Sequence, residues 1–234
     1  MSYLPWQARM WQQLQQRRHA GRLPHALLLS GPAGTGKLRF ATAFAESLLC
    51  STPADDGSAC GHCKACELVT AGSHPDWTTI APEEAGKAIK VDQIRSLADF
   101  TSLHAHYGGF KVVTLQPVEQ MNHAAANSLL KTLEEPSANT VLLLVTANPQ
   151  RLLPTIRSRC QVLHFESPTR PEALAWLIPQ LDNQDAERLL EIAAGAPVTA
   201  LELADSDLLA VFNENFASIE ALLGRQQDPL QVAS

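Results

Sequence analysis

The stretch Ala26-Leu-Leu-Leu-Ser-Gly-Pro-Ala-Gly-Thr-Gly-Lys-Leu38 constrains the fold of this chain more than any other. A short apolar run enters a glycine-rich loop, and behind the loop Phe40, Ala41, Phe44, Ala45 and Leu48 recur at helical spacing. Buried strand, glycine loop and helix, in that order, form the setting in which a Gly-x-x-x-x-Gly-Lys loop cradles phosphate. Gly31, Gly34 and Gly36 free the backbone to turn its N–H groups inward, Thr35 lies between the last two, and Lys37 supplies a point charge. These five are the candidate phosphate-binding residues. The bland alternative is a turn that keeps the shape and has lost the ligand.

The strand–helix alternation continues. Lys111–Leu115, Val141–Thr146 and Val162–Phe165 read as further strands. Asn122 is placed to cap a helix running from Ala124 to Leu133, which Pro136 ends. Strands alternating with helices imply a parallel sheet covered on both faces, so the fold class is α/β. The texture changes at Ser167-Pro168. Beyond it, amphipathic helices are expected at roughly 171–180, 183–194, 198–204 and 206–222, with Gly195-Ala-Pro197 breaking the middle pair.

Hydrolysis of a nucleotide needs more than the loop. The residue after the lysine should carry a hydroxyl for Mg²⁺, and Leu38 has none. A second strand should end in acids that hold the metal and orient water. The strand 111–115 instead runs into Gln116-Pro117, and Glu119 lies past the strand end, out of place for that role. Each lost group is worth orders of magnitude in rate. The sequence therefore predicts no useful ATP turnover by this chain alone. ATP binding stays open.

Four of the five cysteines fall at Cys50, Cys60, Cys63 and Cys66. Two-residue gaps let neighbouring thiolates converge on one tetrahedral ion, and Cys50 at the end of the loop helix would close the fourth position. Structural zinc is the expectation. An iron–sulfur cluster, disulfides and no metal are the alternatives. Four thiolates leave no open position for water, so the metal would be structural. His62 and His74 are read as bystanders, and Cys160 as a packed side chain.

The net charge of −6 is unevenly spread. Residues 1–165 carry 15 Lys/Arg against 12 Asp/Glu, and residues 166–234 carry 3 against 12, so +3 faces −9. That balance argues against a strong nucleic-acid grip by the whole chain. No apolar run is long enough to span a bilayer, and the first residues lack the pattern of a signal peptide, so the expected location is cytoplasmic.

Leu129-Leu-Lys-Thr-Leu-Glu-Glu-Pro136, then Ser158-Arg-Cys160, together with the cysteine spacing, resemble the bacterial clamp-loader branch of the AAA+ proteins over about residues 5–205. The resemblance implies an AAA+ P-loop domain over 1–166 with an inserted zinc module at about 50–66. It also implies a helical lid over 167–212 and the start of a C-terminal collar over 213–234. The implied partners are gamma/tau and delta clamp-loader subunits, with the sliding clamp and primer-template DNA reached through the assembled complex. Gamma/tau motors keep the hydroxyl and acidic positions. This sequence does not, and is similar to the ATPase-silent members. Thr146 matches a phosphate-sensing polar position, and Val198 falls where motors carry a sensing arginine. Arg159 matches an arginine finger that would act in trans on the ATP of a neighbouring subunit. Read without the resemblance, Arg159 and Arg157 are surface arginines paired with acids. Lys131, Glu134 and Glu135 are expected to point outward, towards a neighbour or DNA. The alternative functions are a P-loop ATPase of the gamma/tau type, using Glu119 or merely holding nucleotide, and a zinc-based nucleic-acid adaptor.

Overall fold

A computed structural model describes residues 3–205, apart from 85, 108 and 182. The chain divides into two compact units between Ser167 and Pro168. The first begins with helix α1 (Ala8–His19), followed by strand β1 (Ala26–Ser30) and helix α2 (Lys37–Leu49). Helix α3 (Lys64–Thr70), strand β2 (Trp77–Ile80), helix α4 (Val91–Ser102) and strand β3 (Lys111–Leu115) come next. Helix α5 (His123–Glu134), strand β4 (Thr140–Thr146), helix α6 (Pro154–Arg159) and strand β5 (Gln161–His164) complete it.

The five strands form one parallel sheet in the order β2-β3-β4-β1-β5. Strand side chains alternate between faces, so each strand feeds two cores. Leu28, Val113, Leu142 and Leu144 face α4, α5 and α6, where Ile94, Leu97, Leu129, Leu133 and Ile156 close the layer. Leu27, Leu29, Val112, Leu143 and Val145 face α1 and α2, against Trp11, Leu14, Phe40 and Phe44. Register sets the loops at one level: Ser30 pairs with Thr146 on one side and with His164 on the other. The carboxyl ends of β1, β3 and β4 therefore open onto the same edge of the sheet, where open α/β sheets place their ligands.

The second unit contains helices α7 (Arg170–Leu177), α8 (Asn183–Ile192) and α9 (Pro197–Ala204) around Ala173, Leu177, Ala186, Leu189, Leu190 and Ala200. Thr169 and Glu172 close a capping box at the start of α7. The expected helix 171–180 stops at Leu177 and continues as a tighter turn over Ile178–Gln180, because Pro179 has no N–H to extend the helical ladder. α8 ends at Ile192 rather than 194, with Ala194 at φ 51° and Gly195 at φ 81°. The helix expected at 206–222 and the collar expected at 213–234 lie outside the described residues.

Candidate functional site

The glycine loop is built as a tight crossing. Gly31 leaves β1 so close to the next chain segment that a Cβ there would sit 2.0 Å from the Phe165 carbonyl oxygen. Gly36 precedes α2 at φ 86°, and a Cβ there would meet Leu4 Cδ1 at 2.3 Å. Gly34 is also left-handed, at φ 69°. Thr35 is fully buried, and its hydroxyl donates to the Pro32 carbonyl at 2.9 Å.

Two features close this loop. Lys37 turns its ammonium back into the loop, donating to the carbonyls of Gly31 at 2.7 Å and Pro32 at 2.5 Å. Burial draws that ammonium below its ordinary value, and the Glu119 carboxylate partly opposes the shift. From outside, the turn before α1 lies across the loop. Trp6 Nε1 and Gln7 Nε2 both donate to the Thr35 carbonyl, at 3.2 and 3.1 Å, and Gln7 also reaches Gly36. Leu38, in the metal-hydroxyl position, is an exposed apolar side chain.

Glu119 has a different employment from metal binding. Its Oε1 accepts from the backbone N–H groups of Ala147 and Asn148, at 3.0 and 3.2 Å, and so ties the segment after β3 to the end of β4. Thr146 is buried there, and its hydroxyl accepts from the Asn148 N–H at 3.0 Å.

The four cysteines converge. Their sulfurs all lie within 4.8 Å of one another, with Cys50–Cys63 at 3.8 Å, Cys60–Cys66 at 3.9 Å and Cys63–Cys66 at 3.5 Å. A tetrahedron with metal–sulfur distances of about 2.3 Å has edges of about 3.8 Å, so the donor set fits one tetrahedral ion. The separations are far too long for disulfides. Backbone N–H groups of Cys60 and Cys63 donate to the sulfurs of Cys50 and Cys60. Burial pushes the Cys66 thiol up to about 12 and also raises Cys50. The Thr52 hydroxyl lowers Cys60 to about 7. Burial raises Cys63 too, but bonds from Ser51 and from the Cys66 backbone outweigh it and bring that thiol down to about 5. Two acidic and two reluctant thiols crowded together suit a cation that would take the place of the protons.

Helix α1, which the sequence reading did not identify, braces this module. Trp11 Nε1 donates to the Asp56 carbonyl at 2.8 Å and Gln15 Nε2 to the Gly57 carbonyl at 3.3 Å. Arg18 lies within electrostatic reach of Cys50. His62 bonds the Cys60 carbonyl and His74 receives the Asp76 N–H; neither belongs to the sulfur cluster. Asp76 was also missed. Buried, it accepts from the N–H groups of His106 and Tyr107 and lies 4.0 Å from the Lys111 ammonium, which fixes the α4–β3 connection.

Away from the glycine loop, α5 and α6 carry the other motif. Asn122 caps α5 by accepting from the Ala125 N–H at 2.8 Å. Leu129 and Leu133 are buried, while Lys131, Glu134 and Glu135 are exposed. Arg159 ends α6 and pairs with Glu134 at 2.8 Å. Cys160 beside it is buried, which pushes its thiol up to about 12 and keeps it inert. Val198 opens the first turn of α9 as a half-buried side chain. Among the described residues no helix is long and apolar enough to cross a membrane.

A family model described as DNA polymerase III, delta subunit, matches residues 6–169. The DNA polymerase III subunit delta' of Pseudomonas aeruginosa is 51% identical over 203 residues, 85% of this chain and 60% of that protein. The Escherichia coli subunit delta' is 40% identical over 209 residues, 88% of this chain and 62% of that protein. The chain thus spans about 60% of the length of these curated relatives. Among solved structures, a DNA polymerase III gamma subunit-related protein of Thermotoga maritima aligns over 81% of this chain and 58% of its own, with 24% identity and a TM-score of 0.57. The Thermotoga maritima RuvB Holliday junction branch migration motor aligns over 89% of this chain and 64% of its own, with 18% identity and a TM-score of 0.52. Both likenesses concern the fold, which is AAA+-like.

Proposed function

Given that the chain belongs to the DNA polymerase III delta subunit family, we propose that it is an ATPase-silent delta prime subunit of a bacterial replicative clamp loader. It braces gamma/tau and delta subunits as they set the sliding clamp on primer-template DNA in the cytoplasm. Residues 1–166 form the nucleotide-fold domain, 167–212 the lid, and 213–234 begin the collar. The observation that carries this reading is the contrast between two sites. The loop that would bind phosphate is closed by Lys37 and the turn at Trp6-Gln7, with Leu38 beside it. The arginine of Ser158-Arg-Cys160 stands partly exposed at the end of α6. In this reading Arg159 serves the ATP of a neighbouring subunit, where a guanidinium offsets the charge of the transferring phosphoryl group.

Cys50, Cys60, Cys63 and Cys66 hold zinc, whose role is to cross-link the loop between α2 and α3. With four thiolates the ion keeps no position for water and takes no part in chemistry.

The test has two arms. The purified chain is expected to show no DNA-stimulated ATP hydrolysis. The full-length protein assembled with its motor subunits is expected to lose at least about 10³-fold in rate, within the range for a finger given in trans, when Arg159→Ala is introduced. Brisk hydrolysis by the chain alone, abolished by Lys37→Ala, would instead establish a gamma/tau-type enzyme. A nucleotide-holding role keeps one point of support, the left-handed glycines of the loop. Equilibrium binding of a labelled nucleotide decides it.

A further inference from the structure

Arg159 is held at two points. One terminal nitrogen of its guanidinium bonds Glu134 Oε1 at 2.8 Å, and the other donates to the Thr155 carbonyl at 3.1 Å. The backbones on both sides are fixed. Pro136 follows shortly after Glu134 and stops α5, whose Leu129 and Leu133 are buried in the sheet-facing layer. Pro154 opens α6, Ile156 anchors it in the same layer, and buried Cys160 secures the backbone next to Arg159. The ion pair therefore joins the ends of two anchored helices, and its geometry belongs to the fold rather than to two wandering side chains.

Glu134 is poorly placed for the sake of its own helix. A carboxylate at a helix C-terminus faces the negative end of the macrodipole. Its evident counterweight is Arg159. The arginine stays reachable: its side chain is 35% exposed, and that of Glu134 50%. A guanidinium has five N–H donors in a rigid fork. Two are engaged here, which leaves three to present.

We infer that Glu134 is a positioning residue for Arg159, holding the guanidinium plane in place at the subunit edge so that it meets a neighbour's phosphate already oriented. The inference rests on the finger role proposed above. An unheld arginine would have to give up its rotamer freedom each time it engaged, and misplacement of a catalytic contact costs rate rather than substrate affinity. Carboxylate matters here because a charge-assisted bond to a guanidinium is shorter and stronger than one to an amide. Lys131 on α5 and Glu135 just past its end are also exposed, and neither makes such a contact with Arg159.

The test uses the full-length protein assembled with its ATP-hydrolysing partner subunits. Steady-state ATP turnover and thermal midpoint are measured for Glu134→Gln, Glu134→Asp, Arg159→Ala and the Glu134→Gln/Arg159→Ala pair. Glu134→Gln is expected to lower kcat about tenfold with KM for ATP unchanged. Glu134→Asp should recover part of the loss, and the double variant should be no slower than Arg159→Ala alone. Thermal midpoints should stay within about 2 °C, as befits a partly exposed pair. If Arg159→Ala is slow but Glu134→Gln turns over at or above the normal rate, or if the two losses multiply, the positioning role is wrong. If Arg159→Ala itself runs normally, the finger reading is what fails.

Discussion

Gly36 shows how little latitude the loop has. Its φ of 86° disfavours any side chain, and a Cβ would press on Leu4, which is 2% exposed and cannot swing aside. Gly61 shares the left-handed conformation, at φ 78°, but faces open space. Gly36→Ala is therefore expected to cost about 2–4 kcal/mol, combining backbone strain with overpacking, against about 1 kcal/mol for Gly61→Ala. Urea titration of the two variants measures the difference, and equal losses would mean that Leu4 does not fill the space. Lys37 and Arg159 make a second comparison at this scale. Both are cations named by the sequence as candidate contacts for phosphate. The first is turned inward onto loop carbonyls, and the second is partly exposed while bonded to Glu134 and Thr155.

At the scale of elements, α8 ends in a Schellman motif. The Gly195 N–H returns to the Leu190 carbonyl and the Ala194 N–H to the Glu191 carbonyl. Ala194 holds the position that glycine ordinarily takes, at φ 51°. Ala194→Gly should relieve that conformation and stabilise the second unit by about 0.5–1 kcal/mol, read as a higher denaturation midpoint. A lower midpoint would show that the methyl group contributes more than the strain removes.

Elements differ in how legible they are in the sequence. β1, β3 and β4 were readable because each is an apolar-rich run buried on both faces, β5 from the short apolar pair Val162-Leu163 although only Leu163 of that edge strand is buried, and the start of α5 because Asn122 caps it through a bond only three residues away. β2 escaped because an edge strand written Trp-Thr-Thr-Ile is only half buried and carries no apolar run. α1 escaped because much of what holds it is polar: Gln15 is buried and bonded to Gly57, and only Trp11 and Leu14 of its apolar side chains are fully buried. The candidate site divides in the same way. Cysteine spacing announces its own convergence. The duties of Glu119 and Glu134 depend on partners more than twenty residues away, and spacing along a chain carries no trace of those pairings.

At the scale of the molecule, the cysteine module is an insertion between α2 and α3 that adds no strand to the sheet. It is tied to the rest through Cys50 at the end of α2 and through hydrogen bonds from α1. If zinc occupies the four sulfurs, its removal should loosen both together. Chelation of the purified protein is expected to lower the thermal midpoint by about 10 °C, with zinc released stoichiometrically. An unchanged midpoint after complete metal removal would exclude a structural role.

The fastening of α1 and the turn before it to two different loops has a practical consequence. Trp6 is hydrogen-bonded to the glycine loop through Thr35, and Trp11 to the cysteine loop through Asp56. Nature has thus wired a pair of fluorophores to the two places where an experimenter would want a dye. Replacing each indole in turn with phenylalanine would assign an emission change to one loop or the other, without any label attached.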